Sequence, residues 1–412
     1  MNLRLLTDRA AYAWVAFLIP PLAILGHAWA PGEAYFKGQD LGVLAALLLT
    51  GVAIVLWLPY RSRDRWQPLA IAALLLLLVA WLAQIVRIQL DGALFTVASF
   101  CLPLLLLAFL VKPPSAADLR IAGLCLGYGI AVVALISIPL GMLGWMPSGF
   151  EGADNAECRT TVLCDLLGGV NRWSGPFGSV NYAAPIGGLL IVLGAAQRRR
   201  HAWPLVATGV LIMVLSQGRS AVFAAVAGLT IVILWGARVS SSPARRAIRA
   251  VVLGVLGVLV LVYLVVFDPT LNGRTPYWRE FLSMWNDQRW TGIGTSGVEQ
   301  YMAAHEDLGT VSHAHSVILD QLVRWGPLLA ALTIAVFVLV LLVTGRALPR
   351  VGPGPLAVTV AIIVAGLVET VHDWTYWSPY VALLAWAAMS GGLRRQPSSA
   401  EVPPEDRAAL RG

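Results

Sequence analysis

Charged residues are scarce in this sequence. Only 12% of the 412 residues are charged and 58% are hydrophobic, whereas a soluble domain carries roughly 25% charged residues. This deficit excludes an ordinary soluble fold. Apolar runs of about 20 residues recur along the chain, and such runs cross membranes as helices because lipid offers no partner to an unpaired backbone group. The composition therefore predicts an all-α polytopic membrane protein.

Cysteine is nearly absent, with only four residues. Cys101 and Cys125 lie in apolar runs, where a thiol usually serves as a small packing residue. Cys158 and Cys164 lie close together in a polar loop. In an oxidising compartment such a pair forms a disulfide readily, so the sequence leaves two alternatives, a disulfide or two free thiols.

Twelve apolar spans can be delimited. Their approximate bounds are 11–29, 41–59, 68–86, 93–111, 121–144, 179–196, 203–217, 220–237, 250–267, 317–344, 355–371 and 377–392. The first run follows Arg4 and Arg9, as a signal peptide would, but it is long for a signal core and many spans follow it, which favours a membrane helix. The sequence thus predicts one transmembrane domain over 1–393 and a disordered cytoplasmic tail over 394–412, which is rich in Pro, Ser and Glu.

The basic residues indicate an orientation. With the N-terminus in the cytoplasm and one crossing per span, 20 of the 29 Lys and Arg residues fall in inner loops or at the termini. This is the bias that the positive-inside rule requires, so both termini are predicted to be cytoplasmic. We expect the protein in the inner (cytoplasmic) membrane, with its active site facing the periplasm or the cell exterior. The net charge of +7 then reflects topology rather than binding of nucleic acid.

Nine basic residues remain on the predicted outer side, where that rule disfavours them. Arg172 lies near the end of the outer loop 145–178, and Asn181 follows in the first turn of the next span; the glycines and proline between them are also typical of an ordinary helix start. Arg219 lies in the short connection Ser216–Ser220. A charge at membrane depth usually has a functional partner, although snorkelling to the headgroups would also explain it.

The longest polar stretch, residues 268–316, is predicted to be a large outer catalytic loop before the tenth helix. Thr275 and Pro276 are suited to begin a helix. The residues that then fall on one face of it are Trp278, Phe281, Leu282 and Trp285. This pattern indicates an interfacial helix on the outer leaflet, with Arg274 and Arg279 nearby.

Two histidines, His313 and His315, end this loop. Together with His305, Glu306 and Asp307 they could ligate a metal, but the spacing matches no known metal motif, and no metal is predicted. A histidine beside several arginines is kept unprotonated by like-charge repulsion and suits a general base. A histidine that merely caps the next helix is the structural alternative. We predict that His315 is the catalytic base.

The outward arginines indicate a particular chemistry. Arginine forks bind phosphates, and a leaving diphosphate needs its growing charge neutralised. The sequence contains no nucleotide-binding loop and no cytoplasmic catalytic domain. These features favour glycosyl transfer from a lipid-diphosphate-linked sugar outside the cytoplasm.

Four sequence elements occur in order on the predicted outer side. They are Arg172-x-x-Gly175-x-Phe177-x-x-x-Asn181, then Ser216-Gln-Gly-Arg219-Ser-Ala221, then Arg274 and Trp278 followed by Gly292-Ile-Gly294, and finally His315-Ser316, nine residues and Gly326. Together they resemble the O-antigen ligase superfamily over about residues 165–335. That superfamily also includes lipid-linked polysaccharide polymerases and bacterial O-linked oligosaccharyltransferases.

The resemblance implies a membrane glycosyltransferase that needs no metal, nucleotide or other cofactor. It implies His315 as base and Arg219 and Arg274 as contacts to an undecaprenyl-diphosphate-linked glycan. The acceptor would be a glycan or a lipid-linked sugar, and membrane lipids surround the site. The predicted substrate-binding set is Arg219, Arg274, Arg172, Asn181, His313 and Arg279.

Two other functions remain open. Leu329 stands where the ligase motif has Gly, Thr or Tyr, so a polymerase for capsule or exopolysaccharide is an alternative. A secondary transporter or flippase with twelve helices is an alternative of another class. Transporters often show related halves, whereas this sequence shows no internal repeat and its polar residues crowd one side.

Overall fold

The computed structural model describes residues 9–28, 35–62, 64–87, 93–143, 172–197, 202–239, 274–304, 313–369 and 377–394. The predicted span 250–267 lies outside these residues, as do Cys158, Cys164 and His305. Arg394 belongs to a short strand, so structure extends one residue into the predicted tail, and the rest of that tail lies outside the described part of the chain.

The described chain is almost entirely helical. The helices of the first half are α1 (Ala11–Ala16), α2 (Ile19–Ala28), α3 (Tyr35–Trp57), α4 (Pro68–Arg87), α5 (Ala93–Ser99), α6 (Cys101–Val111) and α7 (Ala116–Met142). After a 3₁₀ turn at Gly175–Phe177 follow α8 (Val180–Gln197), α9 (Trp203–Ser216), α10 (Arg219–Val239), α11 (Arg274–Asp287), α12 (Gly294–Ala304), α13 (Val317–Trp325), α14 (Pro327–Val351), α15 (Gly354–Val368) and α16 (Pro379–Gly392).

Several of these helices have the length and composition of membrane spans. Within the described residues, six are long and apolar enough to cross a membrane: Ala11–Ala28, Pro68–Ile85, Ala116–Gly141, Val180–Gln197, Arg219–Gly236 and Pro327–Val351. Four shorter apolar helices accompany them, at Leu41–Trp57, Thr96–Val111, Trp203–Ser216 and Gly354–Val368. The protein is thus an α-helical, multi-pass membrane protein, while the number of twelve crossings and the cytoplasmic termini stay predictions.

The predicted span 317–344 is wrong in its bounds. The structure divides it at Gly326 into the short polar helix α13 and the long apolar helix α14. Gly326 has φ of 84°, a left-handed value that favours glycine, and a Cβ at this position would lie 2.3 Å from the carbonyl oxygen of Trp290. Arg346 and Arg350, predicted in an inner loop, belong to the last turns of α14.

Small residues bring the central helices close together. Gly188 of α8 lies against Ala221 of α10, and Gly228 further along α10 lies against Val192 of α8. Residue numbers increase together along this contact, so α8 and α10 run parallel. Glycine at such contacts allows helix backbones to approach closely, which favours association in lipid.

Helix α15 runs in the opposite direction. Gly354 at its start lies against Ala196 near the end of α8, and Ala357 lies against Gly228 of α10. The end of α15 therefore lies at the same end of the bundle as the starts of α8 and α10. We call this the site end.

The opposite end of the bundle is rich in basic residues. A two-residue strand β1 (Arg65–Trp66) pairs antiparallel with β2 (Leu393–Arg394). Lys112 contacts the carbonyl oxygens of Trp57 and Leu58 at 3.2 and 3.0 Å, where a cation complements the C-terminal end of α3. This distribution agrees with the bias on which the predicted orientation rests.

Candidate functional site

His315 has a strained backbone. Its φ is 48°, in the left-handed region that non-glycine residues seldom adopt. Such conformations persist only where the surrounding structure holds them, and they cluster at functional sites. His315 directly precedes Ser316, the N-cap residue of α13.

The neighbouring residue Ala314 is held on both sides of its backbone. Its N–H donates to Oδ1 of Asp320 at 3.3 Å, and its carbonyl oxygen accepts from the indole N–H of Trp278 at 2.9 Å. Asp320 also pairs with Arg324 at 3.1 Å, one helical turn further along α13. Residues from α11 and α13 thus hold the peptide that carries His315, and the cost of its left-handed conformation is offset by these bonds.

The imidazole of His315 is held by a buried carboxylate. Nδ1 lies 3.0 Å from Oε2 of Glu369, and Glu369, at the C-terminal end of α15, is only 2% exposed. When this carboxylate is ionised it only accepts hydrogen bonds, and the contact then places the hydrogen on Nδ1 and leaves the lone pair on Nε2. The side chain of His315 is 15% exposed, which leaves it within reach of a substrate.

His313 lies beside this pair. The ring centroids of His313 and His315 are 4.3 Å apart. Burial, reinforced by the neighbouring His315, lowers the pKa of His313 to about 4. His313 is therefore neutral at physiological pH, chiefly because burial penalises its charged form.

A small core outside the main bundle supports the histidine segment. Phe281 and Met284 of α11 are buried together with Val298 of α12 and Val323 of α13. The predicted interfacial helix is therefore corrected in one respect, because these apolar residues of α11 pack against protein. Leu282, expected on the same face, is 45% exposed.

Arg172 is almost fully buried, with 1% of its surface exposed. Its Nε donates to the carbonyl oxygen of Ser216 at 2.8 Å, and the next residue, Trp173, donates its backbone N–H to Leu215 at 3.0 Å. The segment that carries Arg172 thus docks on the end of α9. There Gln217 adopts a left-handed φ of 50°, and α10 begins two residues later with Arg219.

The helix directions place the remaining predicted residues. Arg219 is the first residue of α10, Asn181 lies in the first turn of α8, and Glu369 follows the end of α15, so all three lie at the site end. Gly228 of α10 contacts Ala357 of α15, and each helix rises about 1.5 Å per residue. Measured from this contact toward the site end, Arg219 lies about 14 Å along α10 and Glu369 about 18 Å along α15.

The last two predicted arginines belong to α11. Arg274 is its first residue, and the structure describes its backbone only. Arg279 is exposed on the same helix. Because Trp278 of this helix bonds to Ala314, α11 is joined to the histidine segment.

Sequence reasoning missed Glu369 and Asp320. A signal for Glu369 was present, since an ionisable residue that ends an apolar run is rarely without a partner. Asp320 precedes Arg324 by four residues, the spacing of a helical ion pair, but the predicted lipid-facing span 317–344 concealed it.

The two histidines and the glutamate at the site end can also be considered as ligands of a metal ion. His313, His315 and Glu369 each offer one ligand atom, and these atoms lie within 4.8 Å of one another. Histidine nitrogen and carboxylate oxygen are both ligands of zinc. Sequence reasoning considered His305 and Glu306 as companions of the histidines, but the structure brings Glu369 there from a distant part of the chain.

Comparison with known families agrees with this geometry. The family model described as O-antigen ligase matches residues 204–334, a segment that runs from α9 into α14 and contains Arg219, Arg274 and His315. The search of curated proteins finds no match. The predicted resemblance to the O-antigen ligase superfamily is confirmed over residues 204–334, which are similar to that family.

Proposed function

We propose that this protein transfers a glycan from an undecaprenyl-diphosphate donor to an acceptor hydroxyl on the extracytoplasmic face of the inner membrane. The family match supports a membrane enzyme of the ligase or polymerase type. The observation that carries the proposal further is the contact of 3.0 Å between Nδ1 of His315 and Oε2 of Glu369. This contact leaves Nε2 as the proton acceptor that such a reaction requires.

In the proposed transfer step, one bond to the anomeric carbon forms and one breaks. The acceptor hydroxyl gives its proton to Nε2 of His315, and its oxygen forms a new bond to the anomeric carbon of the donor. The bond between that carbon and the diphosphate oxygen breaks, and its electron pair leaves with the diphosphate. Glu369 stabilises the imidazolium that forms, because an ionised carboxylate 3.0 Å away interacts favourably with the developing charge.

Arg219 is proposed to bind the diphosphate. As the first residue of α10 it adds a guanidinium to a helix N-terminus, where backbone N–H groups and the helix dipole already favour anions. Arg274 occupies the same position in α11, and Arg279 and His313 are proposed as further contacts. Asn181 is proposed as a contact from the first turn of α8.

Arg172 is given a supporting role. With 1% exposure and its Nε bonded to Ser216, the side chain is poorly placed to bind a lipid headgroup directly. It holds the end of α9 that leads into Arg219. This positioning explains an arginine on the disfavoured side of the membrane without requiring contact with the substrate.

The proposed reaction needs neither metal nor nucleotide. The donor already carries an activated bond to diphosphate, and arginines supply the positive charge that the leaving group requires.

Ligase activity is preferred and polymerase activity is the second candidate. Leu329, which departs from the ligase motif, is buried in the first turn of α14 with 5% exposure. A change there alters helix packing rather than an exposed acceptor surface, so it is weak support for the polymerase. The transporter alternative receives no support from the family match.

The test uses purified protein in detergent, an undecaprenyl-diphosphate-linked glycan, and separate acceptors for ligation and polymerisation, without nucleotide. We expect product with the wild-type protein and none above background with His315→Ala. The control is Glu299→Gln, an exposed position on α12. Equal product from wild type and His315→Ala would falsify the proposed mechanism, and movement of glycan across vesicles without new glycosidic bonds would favour transport.

A further inference from the structure

We propose that His313, His315 and Glu369 form a binding site for a divalent transition-metal ion of the zinc type, and that occupation of this site inhibits the enzyme. The binding site follows from the arrangement of the three side chains. The inhibitory effect rests in addition on the proposed function, in which His315 is the base.

The three ligand atoms are close to the spacing that zinc requires. In a tetrahedral site with ligand distances of 2.0–2.2 Å, neighbouring ligand atoms are roughly 3.4 Å apart. Nδ1 of His315 and Oε2 of Glu369 are 3.0 Å apart, and all three ligand atoms lie within 4.8 Å of one another. The bound of 4.8 Å exceeds the tetrahedral spacing by at most about 1.4 Å, so side-chain adjustment must close the set when the ion binds.

The types of ligand atom determine which metal ion the site prefers. Two imidazoles and one carboxylate are the ligand set of known three-ligand zinc sites that keep a fourth position for water. Magnesium and calcium prefer sites made of oxygen ligands. The single carboxylate, 2% exposed, offsets part of the charge of the ion, and His315 at 15% exposure leaves an approach from solvent.

The backbone presents the two rings together. His313 and His315 are two residues apart, with only Ala314 between them. The left-handed φ of 48° at His315 turns the chain into α13 at this point, and the two ring centroids lie 4.3 Å apart. Glu369 reaches both rings from α15, so the site joins two distant parts of the sequence.

Metal binding and base catalysis exclude each other at His315. As base, the neutral ring carries its hydrogen on Nδ1, bonded to Glu369, and accepts the substrate proton on Nε2. An ion on Nδ1 forces the hydrogen onto Nε2, which then has no lone pair. An ion on Nε2 occupies that lone pair directly. Either mode also diverts the carboxylate of Glu369 from stabilising the imidazolium.

The binding test uses untagged protein in detergent, stripped of metal with EDTA and then dialysed. Zn²⁺ is titrated by calorimetry, and Co²⁺ is titrated while the visible absorption of tetrahedral cobalt is recorded. We expect one ion per wild-type chain and at least tenfold weaker binding in His313→Gln and in Glu369→Gln. The control Glu299→Gln, which keeps all six histidines, should bind as wild type does.

The proposed site would be overturned if His313→Gln and Glu369→Gln both bound Zn²⁺ with unchanged affinity, or if the wild-type protein bound none. Circular dichroism and size-exclusion profiles of each variant show whether a loss of binding reflects loss of the fold. The binding readout does not depend on activity, so failure of the proposed glycosyl transfer leaves this test intact.

The inhibition test uses wild-type protein with free Zn²⁺ held by a metal buffer above the dissociation constant from the titration, and with the donor in excess over total Zn²⁺ so that little of the donor is chelated. We expect at least tenfold loss of transfer rate, full recovery after addition of EDTA, and no loss with Mg²⁺. Stimulation by Zn²⁺, or unchanged activity with the site saturated, would overturn the inhibitory role while the binding result stands.

Discussion

Trp278 donates its indole N–H to the carbonyl oxygen of Ala314, the residue between the two histidines, at 2.9 Å. The bond joins the helix that begins with Arg274 to the peptide that carries His315. Among the described residues of the segment 268–316, this bond connects Trp278 to the residue that directly precedes the candidate base. Through this contact α11 positions the segment that carries His315, a role that its amphipathic sequence did not reveal.

Trp278→Phe should lower kcat while leaving the donor KM nearly unchanged. Phenylalanine keeps most of the aromatic packing but cannot donate to Ala314, so the strained His315 loses one of its restraints. Loss of such a bond costs about 1 kcal/mol, which corresponds to roughly a fivefold change if it is expressed in the transition state.

The matched control for that change is Trp285→Phe. Trp285 lies on the same helix and donates its indole N–H to the carbonyl of Arg289 at 2.8 Å, away from the histidines. Steady-state kinetics and thermal unfolding of both variants separate the two roles. An equal fall in kcat for both would show that Trp278 acts through general stability.

Asp320→Ala should destabilise the protein and reduce activity more than Asp320→Asn. Asparagine can still accept from the N–H of Ala314, whereas alanine leaves that buried donor and Arg324 without this carboxylate. The expected destabilisation by alanine is about 1–3 kcal/mol. A double-mutant cycle with Arg324→Ala measures how much of this belongs to the ion pair, and complete additivity would contradict the interaction.

Glu369→Gln should reduce kcat by roughly 10- to 1000-fold while the protein remains folded, because a neutral amide stabilises the imidazolium less than a carboxylate does. Glu369→Asp, which keeps the charge on a shorter side chain, should retain more activity. The measurement is single-turnover transfer at saturating donor. Wild-type rates in Glu369→Gln would remove the carboxylate from the mechanism.

Gly326→Ala should strongly destabilise the protein. An alanine would have to adopt φ of 84° and bring its Cβ within 2.3 Å of the carbonyl oxygen of Trp290, so the junction between α13 and α14 must shift. Gly345→Ala, further along α14, is the control: a Cβ there meets nothing within 4 Å, and alanine should be neutral or stabilising by about 0.5–1 kcal/mol. Similar thermal unfolding of the two variants would contradict this explanation.

Arg219→Ala should raise the donor KM by at least tenfold, and Arg219→Lys should restore part of it, because lysine supplies the charge without the planar fork. The control is Arg289→Ala, an exposed arginine whose Nε donates to Asn286 at 2.8 Å. Donor titrations at fixed acceptor measure the effect. An unchanged donor KM in Arg219→Ala would remove this residue from diphosphate binding.

The candidate site was only partly predictable from the sequence. Arg219 was recognisable because a charge between two apolar helices is costly without a function, and His315 because it lies where a polar loop meets the next helix. Glu369 lies 54 residues from His315, and no local pattern links them. Asp320 was obscured because the apolar residues around it made 317–344 look like one continuous span.

The local sequence is enough to identify a helical membrane protein with a segment similar to the O-antigen ligases, because a hydrophobic run is a local property that lipid and backbone hydrogen bonding turn directly into a helix. The tertiary structure decided which residues meet. The antiparallel course of α15 against α8 and α10 brings Glu369 to the site end, and the break at Gly326 turns α13 so that Asp320 holds Ala314. These outcomes depend on packing between distant segments, which hydropathy does not encode.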